Sequence, residues 1–315
     1  MPLRSALAAI LVAIIWGLNF VVIDVGLEGM PPTLFLAVRF AAVIVPAIFF
    51  VPRPKSRFRD VLLIGIFMSL AQFGLLYTAL SIGMPPGLAS LVLQAQVVLT
   101  VVFAALALRE TPTRNQVLGV AIGALGLIVV GAGRGVETPV LAFFVTIAAA
   151  ASWAIGNVIA RRIGRSGTTT SPLAGLSLTV WSALVVPIPM LVLALVINGS
   201  DAVGFALTHL TVPQLLSTAY TAWLASLVGY GIWNTLLARH PASAVVPFTM
   251  LVPPIGMMTA WLVLGEIPTV IEVCGGVMLL LGVAITTGVL GRRRRQRQTV
   301  SVEVSAPTNA VPESS

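Results

Sequence analysis

The second half of this chain repeats the first. At a constant offset of 156 positions, Glu110, Pro112, Thr113, Val117, Gly119, Leu125 and Gly126 meet Glu266, Pro268, Thr269, Val273, Gly275, Leu281 and Gly282. Carried backwards, the same offset places Tyr77 on Trp233, Leu80 on Leu236 and Pro85 on Pro241. Self-similarity on that scale means two copies of one structural unit, so any fold assigned to one half must serve the other.

What that unit is follows from how little charge it carries. Of 315 residues 58% are hydrophobic and 9% charged, with a mean hydropathy of +1.04, whereas a soluble domain carries about 25% charged residues. A helix needs about 20 mostly apolar residues to cross a bilayer. Ten such runs can be marked, near 5–24, 32–51, 60–82, 87–108, 115–132, 139–160, 173–197, 213–236, 243–264 and 269–290. A membrane barrel would alternate with period two in short segments, and the unbroken run Leu118 to Val130 does not. The expected class is therefore an all-α integral membrane protein with ten transmembrane helices. Residues 1–20 hold one Arg and no Ala-x-Ala cleavage site after the apolar run, so they read as a retained first span rather than a signal peptide.

The basic residues give the orientation. With the N-terminus inside, sixteen of the eighteen Lys and Arg fall on the cytoplasmic side: Arg4, the loop Arg53 to Arg59, Arg109 and Arg114, Arg161, Arg162 and Arg165, Arg239, and Arg292 to Arg295 with Arg297. Arg134 alone falls opposite, and Arg39 lies within the second span. The excess of basic residues inside fixes both termini in the cytoplasm. Five spans per half is an odd number, so the halves enter the membrane in opposite senses. Residues 1–134 and 135–291 are expected to be inverted repeats, followed by a basic, then disordered, cytoplasmic tail over 292–315. Weaker pairs, Trp16 with Trp153 and Pro46 with Pro187, place the extra residues of the second half between Asn198 and Thr211. Inverted repeats with a site at their interface are a mark of secondary transporters.

Function must then come from the few polar side chains inside the spans. Trp16 and Asn19 share a helix face and read either as packing and interhelical glue or as pore lining. Arg39 stands about 10 Å into its helix at 1.5 Å per residue; a charge there needs a partner, and Asp24 is the nearest acidic candidate. Asp24 and Arg39 are accordingly expected to form an intramembrane pair, with carboxylate binding as the alternative role for Arg39. Gln72 falls near mid-span. Gln94 and Gln96, two apart, cannot face the same way, and Gln94 is the one assigned to the cavity. Trp153 and Asn157 repeat the first cluster in span 6, and Tyr230, Trp233 and Asn234 are read as one polar and aromatic face of span 8. The prolines at 187 and 189 should kink span 7, and Pro253-Pro254 should break span 9. The Gly119, Gly123, Gly126 stripe and its counterpart Gly275, Gly282 are read as close helix contacts, within the chain or between two copies in a homodimer.

Several functions are excluded or weakened. Cys274 is the only cysteine, so no intramolecular disulfide and no thiolate metal cluster is expected, and no cofactor motif is present. The +8 charge is parcelled among loops, which argues against nucleic acid as a partner. All ten acidic residues lie at or beyond span ends, which disfavours a membrane enzyme. The absence of a Walker A string leaves no ATPase, and a passive channel stays open as the other alternative.

The strings WGLNFVVIDVGLEGMPP, AIFFVPRP, GMPPGLASLVLQAQ and VGYGIWNTLL, with the paired repeats, resemble the EamA-type family of the drug/metabolite transporter superfamily from about Leu7 to Leu290. The resemblance implies a central cavity formed chiefly by helices 1, 3, 4, 6, 8 and 9. On those helices, Trp16, Asn19, Gln72, Gln94, Trp153, Asn157, Tyr230 and Asn234 become the expected substrate-binding residues. The activity implied is export of small amino-acid metabolites such as cysteine or O-acetylserine across the bacterial inner membrane. The basic, Ser-rich tail departs from the family pattern.

Overall fold

A computed structural model of the chain describes residues 1–133, 138–164, 172–240 and 242–288. Arg134, Arg165, Pro241 and the tail 292–315, all used above, lie outside the described residues. The helices are labelled α1 (Leu3–Leu27), α2 (Pro32–Ala47), α3 (Phe58–Ser81), α4 (Pro86–Leu108), α5 (Arg114–Gly133), α6 (Val140–Gly164), α7 (172–208), α8 (Val212–Leu237), α9 (Val246–Leu264) and α10 (Val270–Thr286). Eight of these stretches are long and apolar enough to cross a membrane, whereas α2 and α10 are apolar but shorter, at 16 and 17 residues.

The repeated Pro-Thr explains where α5 and α10 begin. Thr113 Oγ1 accepts from Gln116 N at 3.3 Å while Thr113 N donates to Gln116 Oε1 at 2.8 Å. At the repeated position Thr269 Oγ1 accepts from Glu272 N at 3.2 Å and Thr269 N donates to Glu272 Oε2 at 2.7 Å. Each is a capping box, satisfying donors that the first helical turn leaves orphaned.

The prolines act as expected in one half of α7 and differently in α9. Helix Pro172–Ala183 ends, a turn intervenes, and Pro187 opens Pro187–Thr208, because a ring nitrogen cannot donate backward. Gly199 then interrupts that helix with φ 81° and ψ 160°, a conformation glycine tolerates. In α9 the irregular stretch is the 3-10 segment Val246–Leu251, and Pro253 sits in the first turn of the regular helix Val252–Leu264. The break lies before the proline pair, since proline is well tolerated where a helix begins.

Two features recur at the repeat offset without having been visible in composition. A π-helical stretch, Gly65–Ala71, lies in α3, and another, Tyr220–Gly229, lies in α8; adding 156 to the first gives 221–227. In α4 a turn at Leu93 and Gln94 interrupts the helix, and the same offset lands in the 3-10 segment of α9. The packing is paired as well: α1 lies on α8 and α9, α6 lies on α3 and α4, α2 lies on α7, and α5 lies on α10.

The α5–α10 contact shows what the glycines are for. A Cβ added at Gly126 would stand 2.5 Å from Leu279 N and 2.8 Å from Gly275 O, and one at Gly275 would stand 2.6 Å from Val130 N. A Cβ at Gly282 would run into Gly123 N. Backbone meets backbone along this seam, so dispersion and weak Cα–H···O contacts act over its length. The stripe is thus consumed within the chain, and its alternative reading as a contact between two copies falls. Gly119→Leu and Gly126→Leu are each expected to lower the amount of monodisperse detergent-solubilised protein by about fivefold or more, whereas Gly204→Leu, whose added Cβ has nothing within 4 Å, should leave it unchanged. Size-exclusion chromatography of fluorescently tagged protein reads the result.

Candidate substrate site

A π turn spreads the backbone ladder and leaves carbonyls in need of donors. In α8, Trp16 Nε1 of α1 donates to Ala225 O at 3.0 Å, and Tyr220 Oη donates back to Ile15 O at 2.9 Å. In α3, Ser152 Oγ of α6 donates to Phe67 O at 2.8 Å. The same helices that carry the two polar clusters therefore serve the two π stretches. Trp16 also packs on Tyr230 and Trp233, ring centroids 5.0 Å and 5.4 Å apart, and Asn19, one turn further along α1, buries an Oδ1 that has no hydrogen-bond partner in the protein.

The remaining expected residues divide among different contacts. Asn157 Nδ2 donates to Gln96 Oε1 at 2.8 Å and to Thr100 Oγ1 at 3.3 Å, tying α6 to α4. Gln94 Nε2 donates to Thr249 O at 3.3 Å, in the 3-10 segment of α9. The two glutamines thus turn to opposite neighbours, as residues two apart on a helix must. Gln72 is buried where the α3 π stretch ends, and Trp153 packs half-buried against the main hydrophobic core.

Asn234 corrects the reading of α8. Tyr230 and Trp233 pack on Trp16, whereas Asn234 meets a different helix. It packs on Gly175 of α7, where an added Cβ would lie 2.5 Å from its amide carbon, and its Nδ2 has no hydrogen-bond partner. Neighbouring residues on a helix point about 100° apart, so Trp233 and Asn234 meet different helices.

Arg39 carries the second correction. Among the described residues it forms no ion pair with Asp24. Its Nη1 donates to Tyr77 Oη at 2.8 Å and its Nη2 to Ser226 Oγ at 3.3 Å, and its guanidinium carbon stands 4.3 Å from the centre of the Phe73 ring and 5.4 Å from that of Phe40. A charge in mid-helix costs about 3 kcal/mol on insertion scales. Charge-assisted hydrogen bonds at about 2 kcal/mol each and a desolvated cation–π contact of about 2 kcal/mol are enough to hold it. Tyr77 and Phe73, one turn apart on α3, could have been suspected from that spacing, whereas Ser226 comes from the π stretch of α8, far along the chain.

Beyond the helices, Glu266 in the α9–α10 turn accepts from Gly87 N at 3.0 Å, joining that turn to the start of α4. Its repeat counterpart Glu110 makes a 3.0 Å salt bridge to Arg161 of α6. Burial pushes the Glu266 carboxyl up to about 7, with Asp24 and Glu272 adding to the rise and the Gly87 N–H opposing it. Because the folded-state value is raised, the stabilising contribution of the protonated group is present below about 4.5 and is lost as pH climbs through about 7. Between pH 5 and pH 8 the thermal midpoint of the wild type is expected to fall, and Glu266→Gln should remove part of that fall; identical slopes would show that Glu266 does not titrate there.

The EamA-like transporter family matches twice, over residues 3–132 and 140–288. The chain is similar to a "Probable amino-acid metabolite efflux pump" of Escherichia coli (strain K12), 41% identical over 298 residues that cover 94% of this chain and 98% of the relative. Its counterpart in Salmonella typhimurium is 40% identical, covering 96% and 100%. A "Probable terminal-alkyne amino-acid exporter" of Streptantibioticus cattleyicolor is 26% identical over 92% of this chain and 96% of the relative. A crystal structure shares the fold with a TM-score of 0.60 at 19% identity, covering 93% of this chain and 99% of that one. With its apolar helices, these matches make the protein a multi-pass inner-membrane transporter and not an enzyme. The chain belongs to the EamA-like transporter family.

Proposed function

We propose that the protein exports small amino-acid metabolites, cysteine or O-acetylserine among them, by alternating access between two inverted five-helix repeats, 1–134 and 135–291, with ten spans and both termini in the cytoplasm. The observation that carries the mechanism is the matched pair of π stretches, each clasped by the first helix of the other repeat, α8 by α1 and α3 by α6. Rocking of one repeat on the other would work these two seams in opposite directions, opening the route to one side as it closes the other. The names of the E. coli and S. typhimurium relatives support the substrate class.

In this reading Trp16, Asn19 and Tyr230 on the α1–α8 seam, with Gln72 on α3, meet the substrate. An amino acid leaving water must have its hydrogen bonds replaced, and the unpartnered Asn19 amide can supply one without holding the substrate by a full charge. Asn157 and Gln94 act by joining helices across the repeats, and Trp153 and Asn234 by packing.

Two experiments follow. A reporter after Arg165 or Gln298 should read cytoplasmic and one at Gly199 or Pro85 external; an external Arg165 would refute the inverted repeats. Labelled cysteine or O-acetylserine should accumulate saturably in inside-out vesicles, where a passive channel would only equilibrate it. Asn19→Ala should cut that uptake about fivefold or more at matched protein level, while Asn157→Ala, which strands Gln96, should lower the amount of folded protein.

A further inference from the structure

Arg39 is the one fully buried cation among the described residues, at 2% exposure, and everything that holds it is neutral. Tyr77 and Ser226 accept from one Nη each, and Phe73 and Phe40 offer ring faces. No carboxylate lies within ion-pair distance among the described residues. Its Nε is buried with no hydrogen-bond partner, so the guanidinium edge formed by Nε and Nη2 carries only the long bond to Ser226. That edge has the spacing that takes a carboxylate at two points.

Its surroundings connect it to the α1–α8 seam. Ser226 Oγ, which accepts from Arg39, also donates to Thr221 O at 2.8 Å within the π stretch, and the preceding residue, Ala225, is the one whose carbonyl accepts from Trp16. The cation, the π turn and the aromatic group of Trp16 and Tyr230 are therefore one connected unit. Ser226 is thus the hydrogen-bond partner that the Nε–Nη2 edge of Arg39 has in the structure.

We propose that Arg39 recognises the carboxylate of the transported molecule, binding it through Nε and Nη2 as Ser226 gives way. This rests on the amino-acid export reading and names the group that reading leaves unassigned: side chains differ from one amino-acid metabolite to the next, whereas the carboxylate is common to them. Neutral partners hold the cation in place without cancelling its charge, so the site keeps its attraction for an anion, and the bound carboxylate loses it again when Ser226 returns.

The test compares each acid with its own carboxamide, which keeps the ammonium and side chain and removes only the negative charge. Purified full-length protein in proteoliposomes is assayed for counterflow of cysteine and serine beside cysteinamide and serinamide. The wild type should move the acids at least about tenfold faster than the amides. Arg39→Gln should lower acid flux by a similar factor with amide flux within about twofold, and Arg39→Lys should retain part of the preference. An unchanged acid-to-amide ratio in Arg39→Gln overturns the inference. If that variant does not fold, equal rates for acid and amide in the wild type overturn it. Acids and amides carried equally would leave the export reading standing, whereas a wild type that carries neither would refute that reading and this inference together.

Discussion

In hydrocarbon a backbone N–H or C=O cannot fall back on water, so each departure from a regular helix has to be answered from inside the protein. This chain departs repeatedly, and the answers come from helices far away in sequence. Trp16 serves the π turn of α8, Ser152 that of α3, and Gln94 the 3-10 segment of α9. Each of these bonds is also a bond between the two halves. The irregular backbone is thus where one half is fastened to the other, through a small number of polar side chains.

The seams differ in kind. Between α5 and α10 glycines bring backbones together over the whole interface, leaving no room for sliding side chains; that seam is suited to act as a fixed axis. Along α1–α8 and α3–α6 the contact includes hydrogen bonds to π-stretch carbonyls, joined on α1–α8 by tilted aromatic rings, and such contacts can break and remake. At the ends, Glu110 meets Arg161 while its counterpart Glu266 meets a backbone N–H with Asp24 nearby. The two halves are thus alike in backbone at these positions and unlike in how the repeated glutamate is held.

Much of this was legible in the sequence, for identifiable reasons. Length and hydropathy mark spans directly, and the Glu-x-Pro-Thr repeat announced the duplication; that its threonines also cap α5 and α10 emerged from the structure. The π turns were not legible, because Gly65–Ala71 and Tyr220–Gly229 have ordinary helical composition and the extra residue is a matter of backbone registration. The Arg39 contacts were misjudged for a related reason. Asp24 is the acidic candidate that the sequence offers, but the groups that accept from Arg39 are Tyr77 and Ser226, and only the fold brings them there. Asn234 reads in the sequence as one face with Tyr230 and Trp233; Trp233 and Asn234 point about 100° apart, and they meet Trp16 and Gly175 respectively.

In the proposed cycle the two ends of the molecule open in turn around a fixed α5–α10 seam. Pulsed electron-spin distances test it in a Cys274→Ser background, where the single native thiol is removed. One labelled pair joins Thr111 to Arg162 at one end, and the other joins Glu28 to Ile267 at the opposite end. On adding substrate to the protein in lipid, one distance should lengthen as the other shortens, while a third pair across α5 and α10 stays constant. Both end distances fixed, or both lengthening together, would contradict alternating access by these two repeats.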